Sequence, residues 1–131
     1  SAERWSEGTK MILVLTAGDY DEYGISGIYQ LDEGHRPLVE RYQELCNQRD
    51  RADWEMRQHR RSIGQQEERL TTLKKEHKIN ETRNRIKKMQ AEQEEFANRY
   101  TELKTEVKTA LQSIYEVAQE LEQPEAIILH V

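Results

Sequence analysis

Apolar residues follow two different spacings along this chain, and the change of spacing separates strands from helices. Three short runs have the residues typical of strands: MILVLT at 11–16, ISGIYQL at 25–31 and AIILHV at 126–131. Their β-branched and aromatic side chains favour extended backbone. The segment AGDYDEYG between the first two runs is rich in turn-forming residues. The pattern therefore predicts a β-hairpin followed, much later, by a third strand.

The first predicted strand is apolar on both of its alternating faces. Ile12 and Val14 share one face, and Leu13 and Leu15 share the other. A strand with this pattern is typically covered on both sides by other elements. We therefore predict the strand order 2-1-3, and the order 1-2-3 is the alternative.

Between the second and third strands, the apolar spacing becomes that of a coiled coil. In the first half, alternating steps of four and three join Leu38, Tyr42, Leu45, Arg49, Ala52, Met56, His59, Ile63, Gln66, Leu70 and Leu73. In the second half, steps of three and four join Ile86, Met89, Gln93, Phe96, Tyr100, Leu103, Val107, Ala110, Ile114, Val117 and Leu121. Each run covers about five heptads, which indicates two long helices that pack along a shared seam.

The two runs fold onto each other about a centre between residues 79 and 80. This register places His59 opposite Tyr100 and Gln66 opposite Gln93. Because two matching heptad patterns align in several registers, polar seam residues provide an independent criterion. We therefore predict an antiparallel helical hairpin whose distal tip lies near residue 80.

The predicted fold class is α+β, with a long antiparallel coiled-coil helical hairpin inserted between strands 2 and 3 of a small three-stranded sheet. A flexible leader is expected at 1–10, before a single domain at 11–131. The domain divides into a β-hairpin at 11–35, helix 1 at 36–77, a tip turn at 78–81, helix 2 at 82–123 and strand 3 at 126–131. Pro37 and Pro124 suit the start of the first helix and the end of the second.

Composition limits the classes of function. The 131 residues are 35% hydrophobic and 34% charged, which predicts a lean core without a large enclosed cavity. The single cysteine, Cys46, allows no intrachain disulfide, and no run approaches the roughly 18 apolar residues of a membrane span. We therefore expect a cytoplasmic protein without membrane contact.

Residues suited to catalysis or metal binding are scattered. The four histidines lack metal-ligand spacing, and the chain contains no Gly-rich phosphate loop or nucleophile elbow. The carboxylates of Asp19, Asp21 and Glu22 are interpreted as parts of a polar turn. The sequence predicts no enzyme activity, no metal site and no cofactor.

The segment LTAGDYDEYGISGIY resembles the start of small uncharacterised phage and bacterial proteins. Those proteins open with a strand, a T-x-G-x-Y-x-x-Y turn and a second strand, and the match covers about fifteen residues here. The resemblance implies a phage or mobile-element origin and no known activity. The long helical hairpin predicted here departs from the family's shorter helical body.

Charge is distributed unevenly, although the formal net charge is only −5. Residues 36–88 contain fifteen Lys/Arg and nine Asp/Glu, whereas residues 89–131 contain three and nine. The basic residues at the predicted tip are Lys74, Lys75, Lys78, Arg83, Arg85, Lys87 and Lys88. They are candidates for polyanion binding, which makes nucleic-acid contact the alternative function.

Two aromatic residues fall on the outward faces of the predicted helices. Trp54 lies on the first helix, and Tyr115 lies on the second near the sheet. Exposed aromatic residues of this kind often anchor protein interfaces. The preferred interpretation is a non-catalytic protein–protein interaction module, an adaptor or inhibitor. A homodimer through the sheet is also predicted, with association of two hairpins into a four-helix bundle as the alternative.

Overall fold

The computed structural model describes residues 10–19 and 22–122 of the chain. The elements in chain order are β1 (Lys10–Asp19), β2 (Glu22–Asp32), a 3-10 turn (Glu33–His35), α1 (Arg36–Leu70), α2 (Glu76–Val117) and β3 (Gln119–Leu121). Both long helices therefore come between β2 and β3 in the sequence. The α+β class is confirmed.

The three strands form one antiparallel sheet in the order β1-β2-β3. The predicted orders 2-1-3 and 1-2-3 both refer to a third strand at 126–131, which lies outside the described residues, so both stay predictions. Leu13 pairs with Tyr29, and Ile28 pairs with Leu121. Leu13 is 8% exposed, but Ile12 and Val14 on the opposite face are 55% and 46% exposed. Among the described residues, one face of β1 is therefore buried and the other is exposed.

A third strand of the described sheet forms where the sequence predicted a helix. It forms at Gln119–Leu121, within the range that the sequence assigned to helix 2, because α2 ends at Val117. A sequence such as QEL has little intrinsic strand preference, so its pairing with β2 is decided by the tertiary context. The predicted strand at 126–131 lies outside the described residues. So does the predicted leader, except Lys10, which begins β1.

A β-bulge between β1 and β2 lies beside a glycine that makes room for a tyrosine ring. The register shifts between Leu15 and Thr16, where Leu15 pairs with Gly27 and Thr16 pairs with Ile25. The hydroxyl of Ser26 donates to the Leu15 carbonyl oxygen at 3.3 Å. A Cβ atom on Gly27 would lie 2.7 Å from Cε2 of Tyr29. The glycine therefore leaves room for the Tyr29 ring to lie over the strand.

The chain divides into two compact units. The first contains Ser1–Arg41 and Ala110–Val131, and the second contains Tyr42–Thr109. The buried apolar residues of the first unit are Leu13, Leu31, Val39, Ala110 and Ile114. They come from β1, β2, the start of α1 and the end of α2. The sheet residues and the helix ends of this unit therefore share an apolar core.

The second unit consists of α1 from Tyr42 onward, the turn between the helices, and α2 as far as Thr109. Its buried residues are Leu45, Ala52, Ile63, Thr82, Ile86, Leu103 and Val107. All except Thr82 occupy predicted seam positions. Thr82 lies four residues before Ile86, so it continues the heptad spacing toward the start of α2.

The turn between the helices lies at residues 71–75, and not at 78–81 as predicted. Helix α1 ends at Leu70, and α2 begins at Glu76. The hydroxyl groups of Thr71 and Thr72 donate to the carbonyl oxygens of Glu68 and Arg69 at 2.6 and 2.8 Å. These bonds satisfy carbonyl groups at the helix end, which favours termination here. The first helix therefore begins as predicted at 36 but ends before the predicted 77. The second helix begins and ends earlier than the predicted 82–123.

Candidate functional site

Trp54 is the most exposed of the large hydrophobic residues that the structure describes. Its exposed fraction is 62%. It lies two residues from Ala52 and from Met56, which places it about 200° around the helix from these seam residues. Within the described part of the chain, Trp54 makes no ring contact, hydrogen bond or cation–π contact. Most of the indole surface is therefore accessible to a partner.

The side chains around Trp54 on α1 are mostly polar and basic. We define the Trp54 face as Asp50, Arg51, Trp54, Arg57, Gln58 and Arg61, all of which are exposed. These residues lie within two turns of Trp54 on the outward side of the helix. The face contains three arginines and one aspartate, which gives it a net positive charge.

Two aspartates on or near this face form ion pairs with arginines of α1. Nη2 of Arg49 lies 3.0 Å from Oδ1 of Asp50, and Nε of Arg57 lies 3.2 Å from Oδ2 of Asp53. Burial lowers the pKa of Arg49, but the hydrogen bond and charge of Asp50 outweigh it, so the net shift is upward. Arg51 and Arg61 have no ion pair among the described residues. Their charges remain available to a partner.

A groove in the second unit adjoins this face through Arg51. Its volume is about 380 Å³, and it is lined by Glu44, Gln48, Arg51, Ala52, Glu55, Arg99 and Leu103. Ala52 and Leu103 are 7% and 1% exposed and form an apolar floor. The lining contains no histidine, cysteine, serine or threonine. Its charged lining residues are two glutamates and two arginines.

The predicted basic cluster occupies the turn and the beginning of α2. Lys74 and Lys75 lie in the turn, and the other five basic residues lie in the helix. All seven are exposed, and none has an ion pair among the described residues. Arg85 donates to Oε1 of Gln66 at 3.4 Å. Since Arg83 and Arg85 are two residues apart, their side chains leave the helix in different directions.

Tyr115 packs against another tyrosine of the first unit. Its ring centroid lies 5.0 Å from that of Tyr29, and its exposed fraction is 37%. Burial raises the pKa of Tyr115, and its hydrogen bond with Tyr29 and the charge of Glu120 act in the same direction. Tyr115 therefore contacts Tyr29 and is less exposed than Trp54. The two predicted partner-binding residues belong to different units.

A polar layer joins the helices inside the second unit. Nδ1 of His59 lies 2.7 Å from Oε1 of Gln93, and Nε2 of His59 lies 3.3 Å from Oε2 of Glu92. Nε2 of Gln93 donates to the Met56 carbonyl oxygen at 3.3 Å. The His59 ring also lies 4.9 Å from that of Phe96. The sequence identified His59 and Gln93 as polar seam residues but assigned them different partners.

No group of metal-binding side chains occurs in the part of the chain that the structure describes. Neither α1 nor α2 contains a segment apolar and long enough to cross a bilayer. Asp21 of the predicted acidic turn lies outside the described residues. No protein family, curated protein or solved structure matches this chain. Functional inference therefore depends on its own surfaces.

Proposed function

We propose that this protein is a cytoplasmic, non-catalytic protein–protein interaction module, an adaptor or inhibitor, that binds its partner through the Trp54 face. The observation that carries this proposal is the 62% exposed indole of Trp54 on the outward side of α1. Covering a large apolar side chain at an interface contributes roughly 1.5–3 kcal/mol to the free energy of binding. Tryptophan and arginine, which both occur on this face, are also the residues most enriched at binding hot spots.

The proposed scaffold of this surface is an antiparallel coiled-coil hairpin formed by α1 and α2. The hydrogen bonds between His59 and Gln93 and between Arg85 and Gln66 support this pairing. Burial of heptad residues on both helices supports it as well. A hairpin fixes the backbone of α1, so a partner meets Trp54 with little additional loss of backbone entropy.

Photo-crosslinking from position 54 tests the proposal. We would replace Trp54 by a photoreactive benzoylphenylalanine and irradiate the protein in an extract of its source cells. The matched control has the same residue at Thr105, an exposed outward position of α2. We expect a discrete crosslinked product from position 54 that is absent from position 105. Identical products from both positions, or none from position 54, would contradict the proposal.

The variant Trp54→Ala provides a second test. Because the side chain is mostly exposed, the substitution should change the free energy of unfolding by only about 0.5 kcal/mol. Binding to the crosslinked partner should nevertheless weaken strongly. A large loss of stability in urea denaturation would instead identify Trp54 as a packing residue.

Nucleic-acid contact through the basic cluster is the second candidate function. It is favoured by the exposure of all seven basic side chains without ion pairs in the described chain. Fluorescence anisotropy with DNA and RNA at about 50 and 200 mM salt should show binding that weakens steeply with salt. Reversing the charges of Lys74, Lys75, Lys87 and Lys88 should abolish it. Binding that survives this reversal would rule out the cluster as the contact.

Homodimerisation is a separate proposal, and the open face of β1 supports it. Ile12 and Val14 are 55% and 46% exposed on this face. Their partners Gln30 and Ile28 in β2 lie on the same side of the sheet. A second copy would remove these apolar side chains from water, as is common in symmetric dimers.

A further inference from the structure

The Trp54 face combines one large apolar group with an excess of positive charge. Asp50 already interacts with Arg49, and Arg57 interacts with Asp53. Arg51 and Arg61 are exposed and make no ion pair within the described residues. A partner that covers Trp54 must also approach these two guanidinium groups. A negatively charged partner surface would be attracted to both groups, whereas a positively charged one would be repelled.

The spacing of the charges along α1 restricts the shape of this partner. Arg51 and Arg61 are ten residues apart, which corresponds to about 15 Å along the helix axis. Trp54 lies between them, one turn after Arg51 and two turns before Arg61. A second helix laid along α1 can present carboxylates with the same separation and an apolar strip between them. Such a helix would satisfy both arginines while it covers the indole.

We infer that the Trp54 face binds an acidic amphipathic helix of a partner protein, with its apolar strip on Trp54 and its carboxylates on Arg51 and Arg61. This inference rests on the proposed function, because it names the chemistry of the partner at the same surface. Arginine forms bidentate hydrogen bonds with carboxylates, which gives the contact direction as well as charge. Contact between the apolar strip and the indole would remove both apolar surfaces from water, which favours binding.

A protein partner is favoured over a nucleic acid at this surface. Trp54 is sixteen residues before the end of α1 at Leu70, which places it about 24 Å along the axis from that end. The basic cluster, which follows that end in the sequence, has seven Lys/Arg and two Glu in residues 74–88, a balance of +5. The Trp54 face has a balance of only +2. A polyanion without an apolar surface would therefore select the cluster, and an acidic apolar helix would select the Trp54 face.

Tryptophan fluorescence can follow binding directly. The chain contains two tryptophans, so we would use the full chain with Trp5→Phe, in which Trp54 is the reporter. The probe is a synthetic 18-residue amphipathic peptide with leucine on one face and glutamate beside it. Lysine replaces glutamate in the control peptide, and a 20-residue thymidine oligonucleotide tests nucleic acid. The expected result is a saturable blue shift with the glutamate peptide alone, because its leucine face excludes water from the indole.

Charge reversal tests the contribution of the arginines. Arg51→Glu combined with Arg61→Glu should weaken binding of the glutamate peptide at least tenfold at about 50 mM salt. The matched control is Lys74→Glu combined with Lys75→Glu, which changes net charge equally but lies in the turn. This control should retain binding within about twofold. Circular dichroism of all variants should confirm an unchanged helix content.

Each other outcome overturns the inference in a distinguishable way. Equal or stronger binding of the lysine peptide with a blue shift would reject an acidic partner, while the interaction surface would stand. A saturable Trp54 response to the oligonucleotide would assign the face to nucleic acid instead. Failure of all three probes to shift the spectrum would reject the acidic helix, while crosslinking from position 54 would still decide the proposed function separately. Equal loss of binding in both charge-reversal pairs would show only a general charge effect.

Discussion

Nδ1 of His59 lies 2.7 Å from Oε1 of Gln93, one heptad along α2 from Tyr100, the partner that the sequence predicts. Gln66 is displaced in the same direction, since it contacts Arg85, eight residues before the predicted Gln93. A shift of one heptad keeps every seam residue in the seam, so it changes the pairing without exposing apolar surface. Polar residues must therefore distinguish the registers. Gln93 donates to the Met56 carbonyl oxygen and accepts from His59, which fixes its amide between the helices.

A double-mutant cycle tests this register. Substituting His59→Ala and Gln93→Ala separately and together should reveal a coupling free energy of about 0.5–1.5 kcal/mol in urea denaturation. The control cycle pairs His59→Ala with Tyr100→Ala and should give a coupling near zero. Coupling that is larger with Tyr100 would instead support the register predicted from sequence.

Leu103 provides a test of the core between the helices. Its side chain is 1% exposed, so Leu103→Asp would place an unpaired charge in an apolar site. We expect the free energy of unfolding to fall by roughly 3–5 kcal/mol, which is a large part of the stability of a small domain. The exposed control Thr105→Asp should change the free energy of unfolding by about 0.5 kcal/mol or less. Thermal melts of equal midpoint for both variants would contradict this packing.

Val14→Lys tests homodimerisation through the sheet. The substitution places a charge on the exposed apolar face of β1, where a second copy would have to bury it. Sedimentation velocity should show a dimer for the unmodified chain and a monomer for Val14→Lys. Thr105→Lys, on the outward side of α2, should remain dimeric. Dissociation caused by Thr105→Lys alone would favour association through the helices, and a monomeric unmodified chain would exclude both surfaces.

The raised pKa of Tyr115 predicts a dependence of stability on alkaline pH. Burial and the hydrogen bond with Tyr29 favour the neutral phenol in the folded state. This contribution to stability is fully present below the unfolded pKa of about 10 and is lost as pH rises through the folded pKa. Tyr115→Phe should therefore lose less stability than the unmodified chain between pH 9 and 11. Parallel urea midpoints for the two proteins across this range would contradict the assignment.

Much of the candidate surface was predictable from helical periodicity. Once the heptads place Ala52 and Met56 in the seam, Trp54 must point away from it, and the structure gives it 62% exposure. Tyr115 was less predictable, because its contact with Tyr29 depends on the sheet. The pairing of Arg57 with Asp53, four residues apart, follows helical spacing. The pairing of Arg49 with its neighbour Asp50 depends on side-chain rotamers that periodicity does not determine.

The sequence by itself determined the first two strands, the two long helices and most of the residues that become buried between those helices. Alternating and heptad spacings are local properties, so they identify strands, helices and a seam without knowledge of the partner surface. Tertiary structure decided the register, the turn and the strand at Gln119–Leu121. Equivalent heptads leave the register open until His59 meets Gln93, and QEL becomes a strand only because β2 offers it hydrogen-bond partners. Pairings of this kind involve residues distant in sequence, and their geometry exists only after the chain has folded.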